Sequence, residues 1–324
     1  MRVVVVGGGG FLGRLLIERL CREGAAVDGE GKRRPIDEIV CLDRMAPASL
    51  PAAPVRFVEA DVTDAGALHR EITPDTGLVY HLAAVVSGAA EADFDLGMRV
   101  NVHGTLAVLE AARASSVVPQ VVFTSSVAAF GGLLPEVVDD GTPVKPSNSY
   151  GVHKAIGELL LQDYSRKGFI DGRALRLPGV VVRPGRPNAA ASSYASSILR
   201  EPLAGEGAIC PVTPDTPMAI ISPARVTDSL IAVNALPAAA FGDFRTMNLP
   251  GLTVTAAEMV AALERIAGPQ TAALVEWQPD PVIQRIVGAW PKHLTSQRAL
   301  AAGFRPDPDI DSIIRAHIRT MEAA

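Results

Sequence analysis

A tyrosine and a lysine in this chain have the types and the spacing needed for proton transfer. Tyr150 and Lys154 are four residues apart in the segment YGVHK, so a helix would place them on one face. A free tyrosine has a pKa of about 10, but a neighbouring lysine cation stabilises the phenolate and lowers that pKa. Ser126, which ends a β-branched run 24 residues earlier, supplies a hydroxyl that would align the reacting oxygen. The set predicts acid–base catalysis at an alcohol carbon; an exposed helical tyrosine is the alternative.

A glycine pattern near the start predicts a phosphate-binding turn. The apolar run Val3 to Val6 precedes Gly7, Gly10 and Gly13, and leucines at helical spacing follow. In a strand–turn–helix unit, such glycines let the backbone approach a pyrophosphate at the helix N-terminus. An ordinary glycine turn is the alternative.

The residue that ends the second strand bears on the choice of cofactor. Asp43 closes the apolar run EIVCLD, where a carboxylate can accept hydrogen bonds from ribose hydroxyls and favour NAD. It lies 30 residues past Gly13, rather than the usual ~20, and the polar insertion 24–35 accounts for the difference. Arg44 is adjacent, and an arginine there accommodates a 2′-phosphate, so NADP stays an alternative.

Two further strand ends carry candidate cofactor contacts. Asp61 and Val62 follow the third strand and would border the adenine, although Asp61 or Asp64 would serve equally well as a helix cap. The fourth strand ends in His81 and Leu82, with the small residues Ala83 and Ala84 after them. A cofactor would lie across those small residues, whereas His81 is interpreted as a hydrogen-bonded polar residue of the strand end.

Composition excludes several classes of function. The chain has 324 residues and a formal net charge of −5, which argues against nucleic acid or an anionic membrane as the main partner. The three cysteines form no Cys-x-x-Cys or Cys/His cluster, so neither a disulfide framework nor a metal site is expected. A signal-peptide core and a membrane-length apolar run are both missing from the sequence, which predicts a cytoplasmic protein.

Alternating strands and helices predict an α/β fold, a Rossmann doubly wound parallel sheet with a smaller C-terminal substrate-binding domain. The NAD-binding domain is expected to take residues 1–182 plus about 226–250, and the substrate-binding domain about 183–225 plus 251–324. The cofactor would lie along the carboxyl ends of the strands, with the substrate between the domains. The expected strands are 3–6, 38–43, 55–61, 77–82, 117–125, 172–182 and 244–249. The expected helices are 65–71, 93–114, 149–166, 225–236, 255–267 and 309–321.

These motifs occur in one order over about the first 185 residues, and there the chain resembles the extended short-chain dehydrogenases/reductases. That superfamily includes NAD-dependent nucleotide-sugar epimerases and dehydratases. The resemblance implies that Tyr150 carries the proton, Lys154 also holds the nicotinamide ribose, and Ser126 orients the substrate. It also implies that Asn101, in NVHGT, supports the active site, and that a homodimer forms through the helices near 93–114 and 149–166.

The resemblance also places the segment after the sixth strand beside the nicotinamide. The complete expected set of cofactor contacts is Gly7, Gly10, Phe11, Leu12, Gly13, Asp43, Arg44, Asp61, Val62, Leu82, Ala83, Ala84, Asn101, Ser125, Tyr150, Lys154, Pro178 and Val180.

A closer likeness is to the D-erythronate dehydrogenase group. It rests on AVVSGAAE (84–91), FTSSV (123–127) and the stretch 182–193. The likeness implies NAD-dependent oxidation of a small sugar acid at C2, D-erythronate to 2-dehydro-D-erythronate. Gly179, His153 and Ala219 depart from the pattern, so the exact substrate stays open.

The alternatives differ in the residues that they require. A dehydratase would have an Asp-Glu pair after the catalytic hydroxyl, but Val127 and Ala128 follow Ser126.

An arginine suits a substrate carboxylate because its planar guanidinium pairs with both oxygens, although each candidate arginine is equally consistent with a solvated surface residue. The expected substrate contacts are Ser87, Ser126, Tyr150, Arg183, Arg186, Asn188 and Ser192. A nucleotide-sugar epimerase with tightly bound NAD and a non-catalytic NAD-sensing protein remain as alternatives.

Overall fold

The structure, a computed structural model, describes residues 1–28, 31–47, 49–52, 54–115, 117–185, 191–242 and 244–322. The strands are β1 Arg2–Val6, β2 Ala25–Val27, β3 Arg33–Pro35, β4 Glu38–Asp43, β5 Val55–Glu59, β6 Thr76–His81, β7 Gln120–Ser126, β8 Val137–Val138, β9 Asp171–Leu177, β10 Gly179–Val180, β11 Ala208–Cys210, β12 Pro217–Ile221, β13 Thr246–Asn248, β14 Leu252–Thr255, β15 Val275–Trp277 and β16 His293–Leu294. The α-helices are α1 Phe11–Glu23, α2 Ala65–Glu71, α3 Ser87–Ala92, α4 Phe94–Gly97, α5 Gly104–Ala114, α6 Ser149–Arg166, α7 Tyr194–Leu203, α8 Pro223–Ala235, α9 Ala256–Ala267, α10 Pro269–Ala272, α11 Pro281–Gly288, α12 Gln297–Ala301 and α13 Ile310–Glu322.

A seven-stranded sheet has the strand order β13-β9-β7-β6-β1-β4-β5 and includes β13 from the second half of the chain. β1 pairs in parallel with β4 on one side and β6 on the other. The side chains of Val3 to Val6 have no exposed surface, which is why this strand is apolar at every position and does not alternate. The predicted doubly wound parallel sheet is confirmed. The chain leaves β1 toward β4 and later returns to its other side, so the carboxyl ends of β1 and β6 form a topological switch point, where ligands bind in such sheets.

The chain divides into two compact units. The first comprises 1–129, 148–176 and 227–247, and the second comprises 130–147, 177–226 and 248–324. The second unit contains the three-stranded sheet β10-β12-β14 and the pairs β11-β15 and β16-β8. Its core includes Ile198, Leu199, Ile220, Leu263 and Ile314.

Residues 130–147 belong to the second unit, whereas the predicted NAD-binding domain included them. Within that unit, β8 pairs in parallel with β16. Asp140 accepts hydrogen bonds from the backbone amide of Asn248 at 3.0 Å and from the Ser296 hydroxyl. These partners lie more than a hundred residues further along the chain, so local sequence holds no sign of them.

Several elements differ from their predicted form. The insertion 24–35 contains an antiparallel pair, β2 with β3, where no strand was predicted. Helices α3 and α7 lie in segments for which no helix was predicted. The expected helix 93–114 is α4, a π-helical segment Met98–His103 and α5 in succession. Across the described parts of the chain, no helix is both long and apolar enough to cross a bilayer.

Candidate active site

The glycine turn connects β1 to α1 at the switch point. Gly7 has a φ of +88°, which glycine adopts without strain, and a Cβ on it would lie 2.5 Å from the Ala83 backbone nitrogen. A Cβ on Gly13 would overlap the Gly7 carbonyl oxygen. Gly10 caps α1 without a side-chain hydrogen bond, so backbone amides at this helix end remain available to an anion. The chemistry and space of this turn fit a pyrophosphate.

Asp43 lies at the end of β4 beside this turn. Its Oδ2 accepts a hydrogen bond from the Gly9 amide at 3.0 Å, and its Oδ1 accepts one from the Met45 amide at 3.3 Å. Arg44 is exposed, and its Nε lies 3.4 Å from Asp61 Oδ2. The structure therefore brings the predicted ribose-binding carboxylate to the glycine turn and pairs the neighbouring arginine with a different carboxylate.

Asp61 and Val62 have structural partners of their own. Asp61 accepts hydrogen bonds from the amide and hydroxyl of Thr63, and Asp64 caps α2 by accepting from the Ala67 amide. The cap of α2 is thus Asp64, one of the two residues that the sequence left open. Val62 is buried, and a Cβ on Gly104 would lie 2.7 Å from its Cγ1.

The segment after β6 passes directly over the glycine turn. The amides of Leu82 and Ala83 both donate to the Val6 carbonyl, at 2.8 and 3.0 Å. His81, which is buried, shares a 2.8 Å hydrogen bond between its Nε2 and the hydroxyl of Thr105, in agreement with its interpretation as a partnered polar residue. The predicted cofactor contacts on β1, β4 and β6 are therefore neighbours in space.

Helix α6 presents the predicted proton-transfer pair. Asn148 caps the helix by accepting from the Gly151 amide, and Glu91 accepts from the Ser149 amide, which fixes the first turn where Tyr150 lies. Lys154 Nζ lies 5.5 Å from the centroid of the Tyr150 ring and donates to the Thr124 carbonyl at 2.7 Å.

Burial lowers the pKa of Lys154 to about 7, while the Glu158 carboxylate acts in the opposite direction. The side chain is 3% exposed, and Nζ also lies 4.7 Å from the centroid of the Phe123 ring. A lysine whose ammonium group is so weakly solvated responds strongly to a nearby negative charge. A phenolate on the same helix face is such a charge.

The two serines at the end of β7 differ in environment. Ser126 is partly exposed, and its Oγ accepts from the Ala128 amide at 3.1 Å. Ser125 is buried and donates to Glu158. Ser126 therefore keeps a hydroxyl proton to donate, while the Ser125 proton is already engaged within the protein.

Glu158 and Arg176 form a buried ion pair behind the site that the sequence did not reveal. Arg176 Nε and Nη2 donate to the two Glu158 oxygens at 2.9 and 2.7 Å, and both side chains are 1% exposed. The only local signal was that Glu158 follows Lys154 by four residues and so shares its helix face.

Asn101, expected to support the site, occurs in the π-helical segment. Its Oδ1 accepts from the Val85 amide at 2.7 Å, and its Nδ2 donates to the Val85 carbonyl at 3.0 Å. It thus holds the far end of the segment that carries Leu82 to Ala84. π-Helical turns occur frequently at functional sites.

The remaining predicted residues occur at separate places. Ser87 begins α3 and is partly buried. In the second unit, Val180 belongs to β10, Pro178 precedes that strand, and Arg183 Nη2 donates to the Ser192 hydroxyl at 3.0 Å. Arg186 and Asn188 lie outside the described residues.

Comparison with known proteins agrees with this arrangement. The chain is 51% identical over 318 residues to the D-erythronate dehydrogenase of Cupriavidus necator, covering 98% of each chain. It is 39% identical to the protein of the same name from Haemophilus influenzae, over 98% of this chain and 99% of that one. Among solved structures, the nucleoside-diphosphate-sugar epimerase of Agrobacterium tumefaciens superposes with a TM-score of 0.89 at 37% identity, covering 100% of this chain and 95% of that one.

The family model for NAD dependent epimerases and dehydratases matches residues 3–214. That range contains the glycine turn, Asp43 and the Tyr150–Lys154 face described above. The chain belongs to the NAD dependent epimerase/dehydratase family.

Proposed function

We propose that this chain is an NAD-dependent dehydrogenase that oxidises D-erythronate at C2 to 2-dehydro-D-erythronate. The observation that carries the reaction class is the Tyr150–Lys154 face of α6, with the Lys154 ammonium 5.5 Å from the tyrosine ring at the edge where the glycine turn lies. The substrate is supported by the two D-erythronate dehydrogenases, which this chain matches over almost their whole length.

In this mechanism, Tyr150 as a phenolate takes the proton of the C2 hydroxyl. Lys154 stabilises the phenolate by its charge, and its hydrogen bond to the Thr124 carbonyl keeps the ammonium in place. Ser126 donates a hydrogen bond that aligns the reacting oxygen. A bound NAD would supply the acceptor for the hydride of C2. Positioning of these groups and stabilisation of the developing charge supply the rate enhancement.

The family to which this chain belongs is NAD dependent, and we propose NAD rather than NADP as the cofactor. The contacts would be the glycine turn for the pyrophosphate, Asp43 for the adenosine ribose, Asp61 and Val62 beside the adenine, and Lys154 for the nicotinamide ribose. Support comes from the carboxylate of Asp43, held by the Gly9 amide, because a second negative charge would be repelled there.

We propose that Arg183 and Arg186 bind the carboxylate of the substrate. The guanidinium of Arg183 is partly buried and oriented by Ser192, and an oriented guanidinium is suited to a carboxylate. Ser87, Arg186 and Asn188 complete the proposed set from the sequence.

We also propose a homodimer in the cytoplasm. Leu106 on α5 and Val152 and Leu159 on α6 are exposed apolar side chains of the two helices predicted to pair, and contact between two copies would cover them. The three cysteines are free thiols, as expected in a reducing compartment.

The second candidate function is a nucleotide-sugar epimerase, which the name of the Agrobacterium structure favours. An epimerase returns its hydride to the substrate, so NADH does not accumulate. Purified protein should therefore be mixed with NAD and, separately, with four-carbon aldonates and UDP-sugars while NADH absorbance is recorded. NADH formation with D-erythronate supports the proposal, and UDP-sugar interconversion without NADH would replace it.

The same assay tests the proton carrier. Tyr150→Phe removes the acidic hydroxyl and should lower kcat at least about 100-fold, while the Kd for NAD stays within about threefold. Tyr164→Phe is the matched control, because Tyr164 lies on the same helix and donates to Glu110. Full activity in Tyr150→Phe would refute the mechanism.

A further inference from the structure

The side chain of Asn101 makes hydrogen bonds both to a loop and to helix α6. Its oxygen accepts from the Val85 amide at 2.7 Å, one N–H donates to the Val85 carbonyl at 3.0 Å, and Nδ2 lies 3.3 Å from His153 Nδ1. The Val85 amide fixes which end of the carboxamide is oxygen. The second N–H of Asn101 therefore points at His153 Nδ1, which must accept, so the ring proton is on Nε2.

The peptide that Asn101 holds is one end of the segment 82–85. At the other end, the Leu82 and Ala83 amides donate to the Val6 carbonyl. The Ala83 nitrogen is so close to Gly7 that a Cβ on that glycine would lie only 2.5 Å from it. The proposed cofactor contacts Leu82, Ala83 and Ala84 thus lie between two anchors. The first anchor is the backbone of β1, and the second is Asn101.

His153 is enclosed by groups that keep it in place. It is 1% exposed, its ring centroid lies 6.4 Å from that of Phe94, and a Cβ on Gly97 would lie 2.7 Å from its Cε1. The charged groups that act on it are Lys154, on its own helix, and Glu91, on α3. A buried ring among these neighbours has little freedom to turn away from Asn101.

We propose that His153 is a positioning residue: as a neutral acceptor it orients Asn101, which holds the Val85 peptide and with it the cofactor segment 82–84, and protonation of Nδ1 releases this contact. Protonated Nδ1 carries a hydrogen that faces the N–H of Asn101, so attraction becomes repulsion. The proposal rests on the proposed function, because it gives residues 82–84 to the cofactor.

The charge state of His153 agrees with this role. Burial lowers the pKa of His153, the Lys154 cation lowers it further, and the Glu91 carboxylate opposes them. The ring is therefore neutral at pH 7 and above. It takes up its proton as the pH falls below the ordinary histidine value of about 6.5.

Two variants distinguish the role of His153 as a hydrogen-bond acceptor from its protonation. His153→Asn offers an amide oxygen near the position of Nδ1 but does not titrate, whereas His153→Leu retains bulk without an acceptor. The first measurement is hydrogen exchange of the Val85 amide in the cofactor-free protein, corrected for the intrinsic rate at each pH. The second is the Kd for NAD by calorimetry at pH 7.5 and 5.0.

We expect Val85 protection in the wild type to fall at least about threefold more between pH 7.5 and 5.0 than in His153→Asn, with a parallel rise in the Kd for NAD. At pH 7.5, His153→Asn should resemble the wild type, and His153→Leu should lose about tenfold in both protection and affinity, as expected for a buried donor left without a partner.

The proposal would be overturned if the Val85 amide were as well protected in His153→Leu as in the wild type. It would also be overturned if His153→Asn showed the same pH response as the wild type. The second comparison still decides if His153→Leu does not fold. Changed exchange with unchanged NAD affinity would overturn the link to the cofactor. Failure of the proposed function would show separately, as absence of NADH formation with D-erythronate in the wild type, while the exchange data still test the contact between His153 and Asn101.

Discussion

At the scale of the single residue, Asp43 shows how neutral groups can orient a charged one. The Gly9 and Met45 amides donate to its two oxygens, and neither amide cancels the negative charge. Arg44, the neighbouring cation, lies 3.4 Å from Asp61. The carboxylate is therefore held in place by neutral donors, and the discrimination between NAD and NADP that we propose would depend on its charge.

Asp43→Asn should raise the KM for NAD and increase the ratio of NADP to NAD turnover by about tenfold. The amide oxygen can still accept from Gly9, but the charge that repels a 2′-phosphate is gone, and the loss of a charged hydrogen-bond acceptor is worth about 1.5–3 kcal/mol. Steady-state kinetics with both cofactors measures the ratio. Asp64→Asn is the control, because Asp64 only caps α2. An unchanged ratio in Asp43→Asn would contradict the ribose assignment.

Residues with a local signature could be predicted, and those with remote partners could not. Tyr150 and Lys154 are four residues apart, and their shared helix face follows from that spacing alone. His153 has its partner Asn101 52 residues away, and Glu158 has Arg176 18 residues away on another element. Both depend on tertiary contacts, so the sequence showed only a histidine and a glutamate on a helix.

At the scale of the element, Glu158 joins α6 to two strands of the sheet. It pairs with Arg176 of β9 through two hydrogen bonds and accepts one from Ser125 of β7. Both partners of the ion pair are buried, so each charge depends on the other for solvation. The helix that carries Tyr150 is thereby fixed to the strand end that carries the serines.

Glu158→Gln should lower the free energy of unfolding by about 3–5 kcal/mol, because it leaves the Arg176 cation buried without its counter-charge. The double variant Glu158→Met with Arg176→Met should cost less than the single variant, since both charges are removed together. Urea unfolding followed by circular dichroism measures both. Asp163→Asn, which breaks an exposed pair with Arg166 on the same helix, should have little effect. A single variant as stable as the wild type would show that the pair does not stabilise the fold.

Elements with a strong pattern were predictable, and elements built by tertiary burial were not. Helix α6 occupies the predicted range 149–166, because an Asn cap precedes a long run without proline or strand periodicity. Helix α7 lies in a stretch of alanine and serine, yet Tyr194, Ile198 and Leu199 are buried at helical spacing. Its small residues hid that period, and its burial comes from the core of the second unit.

At the scale of the whole molecule, each compact unit contains a histidine whose pKa is lowered by burial. Burial lowers the pKa of His81 to about 3, with a further contribution from Lys154, and burial lowers the pKa of His317 in α13. The folded chain therefore binds protons at these rings less readily than the unfolded chain, which protonates them below about pH 6.5. Below that pH the unfolded state binds more protons, so stability falls as the pH falls.

The free energy of unfolding should decrease between pH 6.5 and 5.0, a range that lies above the ordinary pKa values of the carboxyl groups. The buried histidines contribute throughout this range, and Lys154, whose pKa burial lowers to about 7, contributes only near its upper end. Each buried histidine contributes a slope of at most about 1.4 kcal/mol per pH unit. His81→Leu should reduce the slope by one such contribution, since Thr105 keeps its hydrogen bond to the Asn101 carbonyl. Urea unfolding at several pH values in this range measures the slope for both proteins. Equal slopes would mean that His81 is protonated alike in both states, and the burial of its ring would then not be what makes the molecule sensitive to acid.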